Sequence, residues 1–232
     1  MLFEVLYEDN HLIAVSKDNN VLVQSDKTGD AALEDLIKSY IKEKYNKPGD
    51  VFLGVIHRID RPVSGIVLFA RTSKALTRMN EQFKKKEISK TYWAIVKNRP
   101  AQEQARLRHF IGRNTKTNKS HVYETQRPDT KEALLTYSYK AASQKYHLLE
   151  IDLHTGRHHQ IRAQLSYIGS PIKGDLKYGA DRSNPNGGIS LHAQSITFTH
   201  PVTKQEICIT APCPQDVLWQ EFEHIMRQNE TC

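Results

Sequence analysis

Cysteine is scarce in this chain: 232 residues contain only Cys208, Cys213 and Cys232. An odd count builds no disulfide framework, and the spacing from Cys208 to Cys213 is too wide for a Cys-x-x-Cys redox pair. A reducing, cytoplasmic setting follows. Long apolar runs are also missing. The longest, around Gly65 to Ala70, falls far short of the roughly 20 residues that cross a bilayer, so no membrane partner is expected. Met1-Leu2-Phe3-Glu4 lacks a basic stretch followed by an apolar one, which argues against a secretory signal. No Gly-x-x-x-x-Gly-Lys-[Ser/Thr] loop and no Gly-x-Gly-x-x-Gly turn occurs, leaving nucleotide-driven chemistry and hydride transfer unsupported. There is no Gly-x-Ser-x-Gly elbow. Internal repeats, low-complexity segments and a clear linker are absent, so a single domain over residues 1–232 is expected.

What is present fits a folded globular chain, with 38% hydrophobic and 25% charged residues. Subtracting 26 acidic from 33 basic residues leaves +7, and the pI is about 9.2. Distribution matters more than the sum. Lys84, Lys85, Lys86 and Lys90 cluster, as do Arg106, Arg108, Arg113, Lys116 and Lys119, while the last turns hold Glu221, Glu223 and Glu230. Such clusters suit either solvated faces or a nucleic-acid groove.

Periodicity gives short strands over 3–7 and 12–15, then a helix through Leu33, Leu36, Ile37, Tyr40 and Ile41, with Asp30 as its N-cap. Residues 51–71 read as strand, charged turn and strand. Ser73 caps a helix with Leu76, Met79 and Phe83 on one face. Strands follow at 90–96, 134–142, 146–153, 190–199 and 206–211. Residues 113–130 read as a surface loop or exposed hairpin. A helix holds Ile161, Leu165 and Ile168, and Gly169 stops it. Residues 174–188, with four glycines and a proline, form a long loop, a length often tied to function. A last amphipathic helix covers 214–226. Strands dominate without strict βαβ alternation, which predicts an α+β fold on a mostly antiparallel sheet with flanking helices.

Three segments carry chemistry. In His57-Arg58-Ile59-Asp60-Arg61-Pro62-Val63-Ser64-Gly65, two arginines flank a carboxylate in a turn. Pro62 fixes φ and Gly65 permits close backbone approach; a purely structural Asp–Arg turn is the plainer reading. In His154-Thr155-Gly156-Arg157-His158-His159-Gln160-Ile161-Arg162, the arginines suit phosphate or carboxylate. Its three histidines lack the accompanying Cys or carboxylate of a zinc site, so no metal is expected. In Lys90-Thr91-Tyr92-Trp93-Ala94-Ile95-Val96, strand alternation puts Tyr92 and Ala94 on one face, Thr91 and Trp93 on the other. An aromatic beside basic residues is a platform for an unpaired base, although an ordinary core tyrosine is more common.

With these residues the chain resembles the RluA-type pseudouridine synthases. Tyr7-Glu8-Asp9, Leu12-Ile13-Ala14-Val15 and Lys17 resemble the family's opening strands, and His57-Arg58-Ile59-Asp60 with Ser64-Gly65 its catalytic motif. Lys90-Thr91-Tyr92 resembles the tyrosine motif, and Thr155-Gly156-Arg157 with His159-Gln160-Ile161-Arg162 the arginine motif. Gly174-Asp175, Tyr178-Gly179, Leu191-His192-Ala193 and His200-Pro201 resemble later signatures. Departures occur at Lys17-Asp18-Asn19-Asn20, Val63 and His158. The resemblance implies a bent, mostly antiparallel mixed sheet and conversion of chosen uridines in a tRNA or rRNA stem-loop to pseudouridine. It implies Asp60 as catalytic carboxylate, Tyr92 stacked on the target base, and Arg162 as the ion-pair partner of Asp60. Arg58 fills the gap left by the extruded base, and Ile161 lines the pocket. His57, Lys90 and Arg157 are further substrate-binding positions. No cofactor is implied, nor an obligate protein partner. A monomer and the absence of an N-terminal S4 domain are expected. Two other classes compete: a silent RNA-binding module on the same scaffold, and a carboxylate-dependent hydrolase, which normally needs a second carboxylate.

Overall fold

The structure, a computed structural model, describes residues 3–25 and 31–230. The expected cap Asp30 lies outside the described residues. In chain order the elements are β1 (Phe3–Glu8), β2 (Leu12–Lys17), α1 (Leu33–Lys44), β3 (Gly54–Val55), β4 (Ser64–Ala70), α2 (Ser73–Lys85) and β5 (Ser89–Val96). Next come β6 (Gln104–Asn114), β7 (Lys119–Tyr123), β8 (Lys131–Ala142), β9 (His147–Leu153) and α3 (Gln160–Tyr167). A 3-10 turn (Leu176–Tyr178), β10 (Leu191–Thr199), β11 (Glu206–Thr210) and α4 (Val217–Glu230) complete it. The α+β class is as expected. No helix among the described residues is long and apolar enough to cross a membrane.

The chain divides into two compact units, Met1–Ile88 with Ala193–Pro212, and Ser89–His192 with Cys213–Cys232. Each is built from two separated stretches of chain. No linker marks them in the sequence because the division follows strands that return late in the chain, whereas a linear reading expects one domain.

In the first unit the strands run β1-β2-β4-β10, with β3 beside β4 and β11 beside β10. The pairs β1–β2, β2–β4, β3–β4 and β10–β11 are antiparallel. All of β4 is buried, which explains its unbroken apolar run: a strand covered on both faces has no polar side to alternate with. Helix α2 lays Ala75 and Met79 into a cluster with Leu12, Ala14, Ile66, Leu68 and Phe198. Its cap is Thr72 rather than the expected Ser73. The Thr72 Oγ1 accepts from the Ala75 amide at 3.2 Å, so Ser73 is the first helical residue.

The second unit is a meander in the order β5-β9-β8-β6-β7, antiparallel throughout. Tyr92, Ile151 and Tyr137 stand opposite one another on three neighbouring strands, all buried. The other face of β5 turns toward α4, where Trp219 and Phe222 pack with Ile95, Leu148 and Trp93. The alternation read from the sequence of β5 is therefore the observed one. Within 113–130 the hairpin alternative is realised, since β6 and β7 pair from Phe110 opposite Tyr123 to Asn114 opposite Lys119.

Candidate active site

Asp60 sits in the first unit, half-buried in the turn before β4. The turn is closed by the Val63 amide donating to the Asp60 carbonyl at 3.0 Å. The Asn20 amide donates to the Arg61 carbonyl at 2.8 Å, and Arg61 Nε returns a bond to the Asn20 carbonyl at 3.1 Å. Gly65 is required where β4 begins: its φ is +108°, and a Cβ there would lie 2.3 Å from the Ala193 carbonyl oxygen of β10. His57 braces the same segment. Its Nε2 accepts from the Leu68 amide at 3.1 Å, and its ring stacks on Phe83. Arg58 is exposed, with Nη1 donating to Gln24 at 3.4 Å.

Beneath this turn lies Lys17, at the end of β2 and 1% exposed. Its ammonium donates to the carbonyls of Asp18 at 2.9 Å and Arg61 at 3.1 Å, so it grips the residue that follows Asp60. Burial pushes its pKa down to about 7, opposed by attraction to Asp60 and Asp18 and reinforced by repulsion from Arg61. The unfolded lysine keeps its proton to about pH 10.4. Between these values the unfolded chain binds more protons, so stability should rise with pH; below pH 7 the full cost of burying the charge is present. The check is the unfolding free energy of wild type minus that of Lys17→Met, in urea. This difference should favour wild type by about 2 kcal/mol more at pH 9 than at pH 7. A difference flat with pH would mean that Lys17 does not titrate in this window.

In the second unit Tyr92 is buried on β5. Lys90, two residues earlier on the strand, has its pKa lowered by burial, and its Nζ would stand 3.9 Å from a Cβ at Gly156. The 155–162 segment is clamped to β8. The Thr155 hydroxyl accepts from the Leu134 amide and donates to Gln160 Oε1, both at 2.8 Å. Gln160 Oε1 also accepts from the Arg157 amide at 3.0 Å. Arg157 Nε donates to the Glu132 carbonyl at 2.7 Å. His159 enters α3 with φ +52°. Its pKa is depressed to about 2 by burial and then by Arg162 and its other cationic neighbours, so it is a neutral ring at ordinary pH. His158 and His159 stack, with ring centroids 3.8 Å apart. Among the described residues no cluster of His, Cys, Asp and Glu could hold a metal ion.

Ile161 and Arg162 are both buried on α3. Arg162 grips Asp175 with two parallel bonds, Nε to Oδ2 at 2.6 Å and Nη2 to Oδ1 at 2.9 Å. The Tyr178 ring lies 5.0 Å from the guanidinium. The Tyr178 hydroxyl accepts from the Ser120 amide at 2.8 Å and meets His159 Nδ1 at 3.0 Å. Tertiary contact thus adds Lys17, Asp175 and Tyr178 to the residues read from sequence. All three stand in the motif stretches, but nothing local marks Lys17 or Asp175 as buried. Of the expected set, the first unit brings His57, Arg58 and Asp60 onto one turn. The second places Lys90 and Tyr92 on β5, and Arg157, Ile161 and Arg162 on the turn and helix clamped to β8.

Residues 11–167 match the family model described as RNA pseudouridylate synthase, and the chain belongs to this family of isomerases acting on RNA. It is 31% identical to a tRNA pseudouridine synthase C of Haemophilus influenzae, over 95% of this chain and 96% of that protein. It is 33% identical to a ribosomal large subunit pseudouridine synthase C of Buchnera aphidicola, over 90% of this chain and 66% of the relative. Human RNA Pseudouridylate Synthase Domain Containing 4 shares the fold, with TM-score 0.77 and 20% identity, covering 96% of this chain and 92% of that one.

Proposed function

We propose that this chain converts specific uridines of a structured RNA, tRNA or rRNA, to pseudouridine, with Asp60 as the catalytic carboxylate. The observation that carries this reading is the family match over residues 11–167, which contains the Asp60 turn, the Tyr92 strand and the Arg162 helix together. The reaction breaks N1–C1′, forms C5–C1′, loses the proton from C5 and returns one to N1. The product is an isomer, so neither oxidant nor energy source is consumed, and no cofactor is proposed. The target base first leaves its stack, at a cost of a few kcal/mol, and Arg58 fills the gap. Asp60 then attacks C1′ or removes the C2′ proton. Arg162 is proposed as the ion-pair partner of the Asp60 carboxylate. Tyr92 offers its flat face to the detached uracil, Ile161 lines the pocket, and His57, Lys90 and Arg157 bind the substrate. We place the reaction in the cytoplasm, carried out by a monomer.

The test is tritium release from RNA containing 5-tritiated uridine. Release at the pace of pseudouridine formation is expected, whereas a silent RNA-binding module would bind the same RNA and release none. If stacking is the main task of Tyr92, Tyr92→Phe should retain most of the rate and Tyr92→Ala should lose roughly 10²-fold or more. Equal losses in single-turnover assays would assign the task to the hydroxyl.

A further inference from the structure

Residues 179–184, in the later part of the long 174–188 loop, have no role in the chemistry above, and they build one wall of a cavity in the second unit. The cavity measures about 510 Å³, and its lining includes Lys97, Tyr146, Lys173, Asp181, Arg182 and Asn184. We propose that this cavity binds phosphodiester groups of RNA, outside the catalytic residues.

The floor is preformed. The Lys173 amide donates to the Ile95 carbonyl and its carbonyl accepts from the Ser190 amide, both at 2.9 Å. The Lys173 ammonium donates to Asn184 Oδ1 at 2.6 Å and lies 5.7 Å from the centre of the Tyr146 ring. Asn184 is buried and held in turn by Ser190, its Nδ2 donating to the Ser190 hydroxyl at 3.1 Å. Gly174 makes this packing possible: with φ +87°, it carries no Cβ, which would lie 2.7 Å from the Asn184 amide carbon. Among the described residues the Lys173 ammonium has no other hydrogen-bond acceptor, which leaves it donor capacity for a ligand in the cavity it lines.

The rim is different in kind. Arg182 is exposed and makes no side-chain hydrogen bond or ion pair among the described residues. Lys97 pairs with Asp181, both well exposed. Such a surface pair adds little net stability, so an incoming phosphate can displace the Asp181 carboxylate at small cost. Three cations against one carboxylate leave a net +2 over a cavity with an aromatic wall. Fixed donors below, loose cations above and a ring beside them suit a phosphate backbone with a neighbouring base or sugar. The family acts on RNA, which supplies that polyanion; the inference rests on RNA as substrate but not on the role of Asp60.

The test measures binding of fluorescently labelled unfractionated transfer RNA to the full chain by anisotropy, from 50 to 200 mM NaCl. Arg182→Gln and Lys173→Gln should each weaken binding about tenfold at the lowest salt. Each should reduce the slope of log affinity against log salt by about one. Lys173→Arg should restore most of the affinity. Asp181→Asn should tighten binding roughly threefold. Lys42→Gln, an exposed lysine of the first unit, controls for loss of a charge and should change affinity less than twofold. Arg182 is exposed and makes no side-chain hydrogen bond or ion pair among the described residues, so its substitution reads chiefly charge. Wild-type affinity and slope in Arg182→Gln and Lys173→Gln would overturn the proposal. So would a calorimetric response to inorganic phosphate that these variants abolish while RNA affinity stays unchanged, since that would make the cavity a site for small phosphates. Wild-type protein that binds RNA through these residues yet releases no tritium would count against the catalytic reading alone.

Discussion

Asp60→Asn should reduce tritium release in single-turnover assays by roughly 10³-fold or more, with RNA affinity within about threefold of wild type. The substitution keeps shape and removes charge. The turn itself depends on backbone bonds, Val63 to Asp60 and Asn20 to Arg61, and on the Lys17 ammonium at the Arg61 carbonyl, none of which uses the Asp60 carboxylate. An amide neither attacks C1′ nor accepts a proton from C2′ at neutral pH, so both forms of the mechanism fail together. Because the Asp60 charge offsets part of the cost of burying the Lys17 ammonium, a modest fall in thermal stability should accompany the loss, with the fold kept. Turnover within tenfold of wild type would remove Asp60 from the chemistry and leave the fold and the RNA-binding cavity standing.

Asp175→Asn should lower stability by about 3–5 kcal/mol, equivalent to a fall of about 10 °C in Tm for a chain of this size. The reason is burial. The side chains of Arg162 and Asp175 are only 6% and 1% exposed, and they meet in two parallel bonds. Asp175→Asn replaces two charge-assisted bonds to the buried guanidinium with weaker neutral ones, and Arg162→Met leaves the buried Asp175 carboxylate without them. Arg162→Met should cost a similar amount, because it leaves the Asp175 carboxylate. The double substitution Asp175→Asn with Arg162→Met should cost clearly less than the sum of the two. Scanning calorimetry of the four proteins checks this. Additive losses would show that the pair is not energetically coupled.

Much of the fold was legible because local pattern and tertiary environment agree. Strand alternation around Tyr92 reads correctly since one side of β5 faces α4 and the other is buried in a different layer. The unbroken apolar run from Gly65 to Ala70 reads as a strand because β4 has no exposed side. Legibility fails where pairing is long-range. The strand β6, Gln104–Asn114, interleaves Arg106 and Arg108 with Leu107 and His109, and its charged side obscures the strand until β8 is seen beside it. Thr72 takes the capping role from Ser73 because extended backbone geometry at Thr72, not residue type, selects the cap.

Motif identity alone specified the family, the Asp60 turn, the aromatic strand and the arginine helix, since these are runs of neighbouring residues whose types dictate local conformation and chemistry. Only tertiary structure decided that Lys17 lies buried under the Asp60 turn, that Arg162 grips Asp175, and that Lys97, Lys173 and Arg182 share one cavity. Burial and charge pairing depend on partners many residues away, and desolvation acts on a group only when the folded chain surrounds it.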